Sequence, residues 1–176
     1  PQIRKVLDMG VNLGSVLLCL MLSLTRLPGM ELLGIGPGWL LIWVVVWSLR
    51  RSLFQSVVAG LALGLIQDGM TSGYPLHSIG LIIAGFFASQ VQKRRRQPIK
   101  LIHVLLIVFG MAILEQISLG LQYSLMGQLP LGEIARDYQR IALASAILSS
   151  LWTPVWYYPL NAWWDKAQGV MPSRHD

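Results

Sequence analysis

Charge is what this sequence has least of. Only 12% of its 176 residues are Asp, Glu, Lys or Arg, about half the share found in soluble domains. Residues 141–162 contain none of the four, and neither do residues 69–92. A soluble core helix keeps a solvated face, so runs of this length exclude an ordinary water-soluble fold. Cysteine is nearly missing too. Cys19 is the only one, which excludes an internal disulfide, and its place in an apolar run reads as a small buried side chain. The signatures of catalysis are absent as well: there is no HExxH, no Cys/His cluster of metal-ligand spacing, no GxSxG and no GxxxxGK[ST]. A lone Asp and a lone Glu inside apolar runs make no acid–base pair unless the fold joins them. The residues therefore point away from an enzyme, and to no cofactor or metal.

What is present is apolar sequence, 54% of the chain. Segments such as "GWLLIWVVVWSL" and "LIHVLLIVFGMAIL" are apolar on every side. A membrane β-barrel strand would alternate instead. Crossing the hydrocarbon core takes roughly 20 mostly apolar residues in a helix, and the turn-rich breaks "RLPGM", "GIGPG", "DGMTSGYP", "KRRRQP" and "GQLPLG" divide the chain accordingly. The expectation is an all-α integral membrane protein, a single domain over 1–176, with spans near 7–25, 37–49, 53–68, 75–92, 99–126 and 141–162. The second and third spans are short, so one of them is expected to tilt, thin the bilayer or end among its neighbours. The first, preceded by Arg4 and Lys5, lacks a small-x-small cleavage pattern and reads as a retained helix.

The cations set the orientation. With six spans, Arg4, Lys5, Arg50, Arg51, Lys93, Arg94, Arg95, Arg96, Lys100, Lys166 and Arg174 share one side, and only Arg26, Arg136 and Arg140 of the 14 Lys and Arg fall on the other. Both termini are then cytoplasmic. The net charge of +6 is explained by topology and requires no nucleic acid. The cluster Lys93, Arg94, Arg95, Arg96 and Lys100 also suits anionic lipid head groups, at roughly 1 kcal/mol per cation.

Four features stand out within the spans. Ser56, Gly60, Gly64 and Asp68 are four apart and form one helix stripe, a small-xxx-small surface for close helix approach. Gly80, Ala84 and Ala88 repeat the spacing in the fourth span, and Ala142, Ala146 and Ser150 in the sixth. Asp68 closes its stripe where it can cap backbone amides of the following turn or meet a partner. Glu115 lies deep in the fifth span with Ser118 and Gln122 on the same face, placed to bond to neighbouring helices or to line a groove. His77 and His103 fall at opposite ends and share no metal. Trp156, Tyr157, Tyr158, Trp163 and Trp164 read as an aromatic belt at head-group depth, with Pro154 and Pro159 in the same helix.

The stretch from Trp39 to Arg94, "WLLIWVVVWSLRRS", "AGLALGLIQDGM" and "YPLHSIGLIIAGFFASQV", resembles the MreD family of rod shape-determining membrane proteins. The Gly-Leu-Ile-Gln-Asp run at 64–68, followed by a short loop and another apolar span, carries the likeness. His77 follows the Pro-Leu pair where a glycine is usual. The resemblance implies a non-catalytic scaffold of the cell-elongation (peptidoglycan synthesis) machinery in the bacterial inner membrane. It implies a fold similar to the substrate-binding subunits of vitamin importers, MreC and other elongation-complex membrane proteins as partners, and MreB at the cytoplasmic loops. MreC's membrane helix is expected to pack on the small-residue stripes, so that leucines at Gly60 and Gly64 abolish co-purification. The alternative is a transporter's vitamin-binding subunit. Those typically carry an Ala-xxx-Ala face in the first helix, and "VNLGSVLLCLMLSLTRL" has no alanine.

Overall fold

The shortest helix is the one around which the others are arranged. In the structure, a computed structural model that describes residues 2–25, 28–32, 34–71, 76–94, 99–127 and 131–168, six helices follow in order: α1 (Gln2–Leu24), α2 (Trp39–Ser48), α3 (Leu53–Met70), α4 (His77–Arg94), α5 (Leu101–Leu125) and α6 (Leu131–Gln168). Three of them, α1, α3 and α5, are long and apolar enough to cross a membrane; α2 and the 77–91 part of α4 are shorter apolar helices.

α2 has 10 residues, about 15 Å of helix, half of a hydrocarbon core. Every residue from Trp39 to Val46 is buried, and α2 touches each of the other helices. A sequence apolar on all sides suits a helix surrounded on all sides. The N-terminal end of α2 is reached through a non-helical segment. Leu32 and Ile35 exchange backbone hydrogen bonds of 2.9 and 3.0 Å around Gly34, whose φ of +78° favours glycine. Pro37 is buried, and the Gly38 amide donates to Ser149 Oγ on α6 at 2.9 Å. Irregular backbone is tolerated within a membrane protein where protein or a cavity covers it.

α1 is held along one narrow line. Only Cys19 and Leu20 are buried in its 23 residues, and Trp43 Nε1 of α2 donates to Ser15 Oγ at 2.7 Å. α6 is longer than the expected span 141–162 at both ends. Its 38 residues make about 57 Å of helix, far more than a bilayer needs. Residues 132–140, with Glu133, Arg136, Asp137 and Arg140, are exposed apart from the half-buried Tyr138 where described, so the expected loop there is instead a solvated extension of the helix. Pro154 and Pro159 lie inside it.

The two ends of the bundle are built differently. At the basic end, Arg50 Nη2 donates to Asp165 Oδ1 at 2.7 Å and also to Asn161 Oδ1, and its guanidinium lies 5.9 Å from the Trp164 ring centroid. Arg51 pairs with Asp8 at 3.5 Å and sits over Trp47, while Tyr157 Oη donates to the Ile99 carbonyl at 3.0 Å. Charged side chains thus tie α1, α2 and α6 together here. At the far end, uncharged groups and one carboxylate hold α3, α4 and α5.

Candidate functional site

The far end begins with Asp68, in the last turn of α3 and only 4% exposed. Its Oδ1 accepts from the His77 backbone N–H at 2.5 Å and faces His77 Nδ1 at 3.2 Å, and its Oδ2 accepts from the Ser78 N–H at 3.1 Å. These are first-turn amides of α4, which have no partner inside their own helix, so a carboxylate there meets both free donors and the positive end of the helix dipole. Gln122 of α5 completes the junction. Its Oε1 accepts from the Leu76 N–H at 2.8 Å and its Nε2 donates to the Leu76 carbonyl at 3.0 Å. One amide side chain thereby fixes both backbone groups of the residue before α4.

The small-residue stripe does its work inside the molecule. A Cβ built on Gly60 would lie 2.5 Å from the Leu81 carbonyl oxygen, one on Gly64 would lie 2.2 Å from Ser78 Cα, and one on Gly85 would lie 2.5 Å from the Ser56 carbonyl oxygen. α3 and α4 meet backbone to backbone, and Ser56, Gly60, Gly64 and Asp68 are all buried by it. Gly80 admits α5 in the same way, since its Cβ would lie 2.8 Å from Glu115 Cγ. Ala84 is fully buried. The stripe at Gly60 and Gly64 is filled by α4, and this corrects the expectation that a partner's helix packs there.

Glu115 is 5% exposed. It lines a cavity of about 130 Å³ together with Gln67, His77, Gln116, Ser145 and the segment Ile35–Leu41. Among the described residues nothing hydrogen-bonds to its carboxyl. A second cavity, about 210 Å³, adjoins the first. It shares Ser23, Gly36, Pro37 and Trp39 with it and adds Thr25 and Glu31. His77 belongs to both parts of this corner, bonded to Asp68 and lining the cavity that Glu115 faces.

A different opening lies between the far halves of α5 and α6. It holds about 550 Å³ and is lined mainly by Ile113, Ile117, Gly120, Leu121, Ala142 and Leu143, with the amides of Gln116 and Gln139. Ile117, Leu121 and Leu143 are more than half exposed.

The far-end junction is capped by the aspartate of the Gly-Leu-Ile-Gln-Asp run at 64–68. The sequence model of rod shape-determining protein MreD matches residues 4–158. The chain belongs to the MreD family. No curated protein and no solved structure matches it. MreD is a membrane protein family that acts in determining rod shape and is not known for enzymatic activity.

One further expectation about this MreD-family chain changes with the structure. Trp156 and Trp164 turn inward, 8% and 4% exposed, while Tyr158 is 59% exposed. The expected belt is split, because α2 is too short to fill the basic end and the α6 indoles close it. Tyr157 and Trp163 are half-buried. Of the basic cluster, Lys93 and Lys100 are exposed; Arg95, Arg96 and the side chain of Arg94 lie outside the described residues. The structure brings Asp68, His77 and Glu115 to one corner; the sequence reading missed Gln67, Gln116 and Ser145 as cavity residues. Gln116 and Ser145 belong to helices whose inner faces a sequence cannot align, and nothing in "GIGPG" alone says that it folds into the bundle.

Proposed function

We propose that this MreD-family protein is a multi-pass, non-catalytic scaffold of the bacterial inner membrane with both termini cytoplasmic, and that it joins the cell-elongation machinery by binding MreC. The distribution of Lys and Arg supports the orientation, with the basic end of the bundle inward. The observation that carries the scaffold reading is the contrast between its helix faces. The glycine faces of α3 and α4 at Gly60, Gly64, Gly80 and Gly85 are consumed within the fold, whereas the cleft between α5 and α6 is open to the side and lined by small and apolar residues with two amides. Membrane helices associate through close packing and occasional interhelical hydrogen bonds, and this cleft offers both to a single partner helix. Its position moves the proposed MreC surface from α3 to α5 and α6. MreB contacts are proposed for the cytoplasmic loops at Arg50, Arg51, Lys93 and Lys100.

The test is site-specific photo-crosslinking in living rod-shaped cells. A photoreactive phenylalanine at Leu121 or Leu143 should crosslink to MreC, and one at Phe54 or Leu65, on the outer face of α3, should not. Crosslinks from α3 alone would refute the cleft while leaving MreC binding in place. A pull-down that recovers ATPase subunits in place of MreC would restore the transporter alternative.

A further inference from the structure

Buried carboxylates in membrane helices are costly and are normally paired or hydrogen-bonded. The two at the far end differ in this. Asp68 has its partners in the first turn of α4. Glu115, equally buried, has none among the described residues and faces a cavity. That cavity is polar on several sides: the amides of Gln67 and Gln116, the hydroxyl of Ser145 and the imidazole of His77 surround it. It continues through Ser23, Gly36 and Pro37 into the outer cavity, where Glu31 stands half-buried. Carboxylates therefore stand at both ends of this inlet, and no Lys or Arg among the described residues lines it. The non-helical segment before α2 forms one wall.

We infer that this inlet is a binding site for one organic cation of the alkylammonium type, which enters from the end opposite Arg50 and places its ammonium group against Glu115. An ammonium group offers three donors and no acceptor. The inner wall holds side chains able to supply the complement, the carboxyl of Glu115, the amides of Gln67 and Gln116 and the hydroxyl of Ser145. The inner volume of about 130 Å³ fits the end of one extended chain and excludes a quaternary head group with bulky arms. A lysine side chain of a partner segment and a free small amine present the same chemistry, and the experiment separates them.

The test uses the full chain in lipid nanodiscs with Cys19→Ala, which removes the only native thiol, and a single cysteine at Ser145 inside the inlet or at Ser23 at its mouth. Each is treated with an aminoethyl or a sulfonatoethyl methanethiosulfonate, and rates are normalised to those with free mercaptoethanol. The cationic reagent should be favoured by roughly tenfold at Ser145→Cys, because a low-dielectric site of one sign concentrates counter-charge, and added n-butylammonium should slow it while tetraethylammonium does not. Glu115→Gln should remove both the preference and the protection. Because the charge preference and the protection are also measured with Glu115 intact, the test does not depend on that variant folding. Equal normalised rates, no protection by n-butylammonium, or reaction at Ser23→Cys with none at Ser145→Cys would each overturn the assignment. In native membranes, protection that survives washing assigns the ammonium group to a membrane partner, and protection lost on washing assigns it to a free solute.

Discussion

The seam between α3 and α4 and the seam between α5 and α6 run through the same bundle, but one is closed and the other is not. α3 and α4 meet at glycines with backbone against backbone, and the junction above them has its amides satisfied by Asp68 and Gln122. α5 and α6 are joined near the basic end, where Ser150 Oγ donates to the Leu105 carbonyl at 3.2 Å, and then part around a cleft of about 550 Å³. Lipid tails are as apolar as the helices, so burying apolar area drives little association in a bilayer; packing and polar contacts must do it. A seam that uses both is stability, and a seam that leaves both unused is available surface.

The sharpest way to break the closed seam is to add one methyl group. Gly64→Ala places a Cβ against the Ser78 backbone, which cannot rotate away. The expected loss exceeds about 3 kcal/mol, beyond the usual range for overpacking, measured by SDS-titrated unfolding in mild detergent. Gly69→Ala, five residues along the same helix with nothing within 4 Å, should be neutral or gain up to about 1 kcal/mol from helix propensity. Similar losses at both positions would show that α4 does not approach as closely as described.

Next in size is the cap of the same seam. Asp68→Ala leaves two first-turn amides of α4 without acceptors, at about 1–3 kcal/mol for a buried unsatisfied group, so a loss of about 2–3 kcal/mol is expected in the same assay. Asp68→Asn keeps one acceptor and should lose less. A null result for both would mean that water replaces the carboxylate freely.

How far these seams could be read in the sequence depends on whether the signal was local. The stripe Ser56, Gly60, Gly64 and Asp68 was legible, because a four-residue spacing defines a helix face whatever the rest of the chain does. Its partner was not legible: spacing says that something approaches closely and does not say whether the neighbour is α4 or another protein. The count of apolar runs located all six helices, yet it did not show that α2 is enclosed by the others, since an apolar run reads alike against lipid and against protein. Trp156 and Trp164 were misread for the same reason. Glu115 stood out as a charge within an apolar run, but its cavity is assembled from residues of several helices and a buried loop, and no single stretch records that.

The open seam should respond in the opposite manner, with function lost and stability kept. Leu143 and Leu121 are 52% and 58% exposed, so Leu143→Trp and Leu121→Trp should shift stability by no more than about 0.5 kcal/mol. A bulky indole in the cleft should nevertheless reduce co-purification of MreC severalfold and round the cells, seen by microscopy. If stability falls and MreC stays bound, the cleft is packing surface like the closed seam.

The smallest effect expected on stability is at Glu115, and its size is informative because it is small. Asp68→Asn and Glu115→Gln remove the same charge from side chains buried to the same degree, 4% and 5% exposed. Asp68 loses hydrogen bonds to the fold. Glu115 has none to lose among the described residues, and glutamine preserves the shape that Gly80 packs against. An acidic side chain buried without a partner costs stability, so Glu115→Gln should lie within about 0.5 kcal/mol of the parent or above it. A loss as large as that of Asp68→Asn would mean that the fold itself supplies a partner to this carboxyl, and the cation site would then have no vacancy to fill. A neutral result leaves the carboxylate serving something other than stability, on the wall of a cavity that the helices leave unfilled.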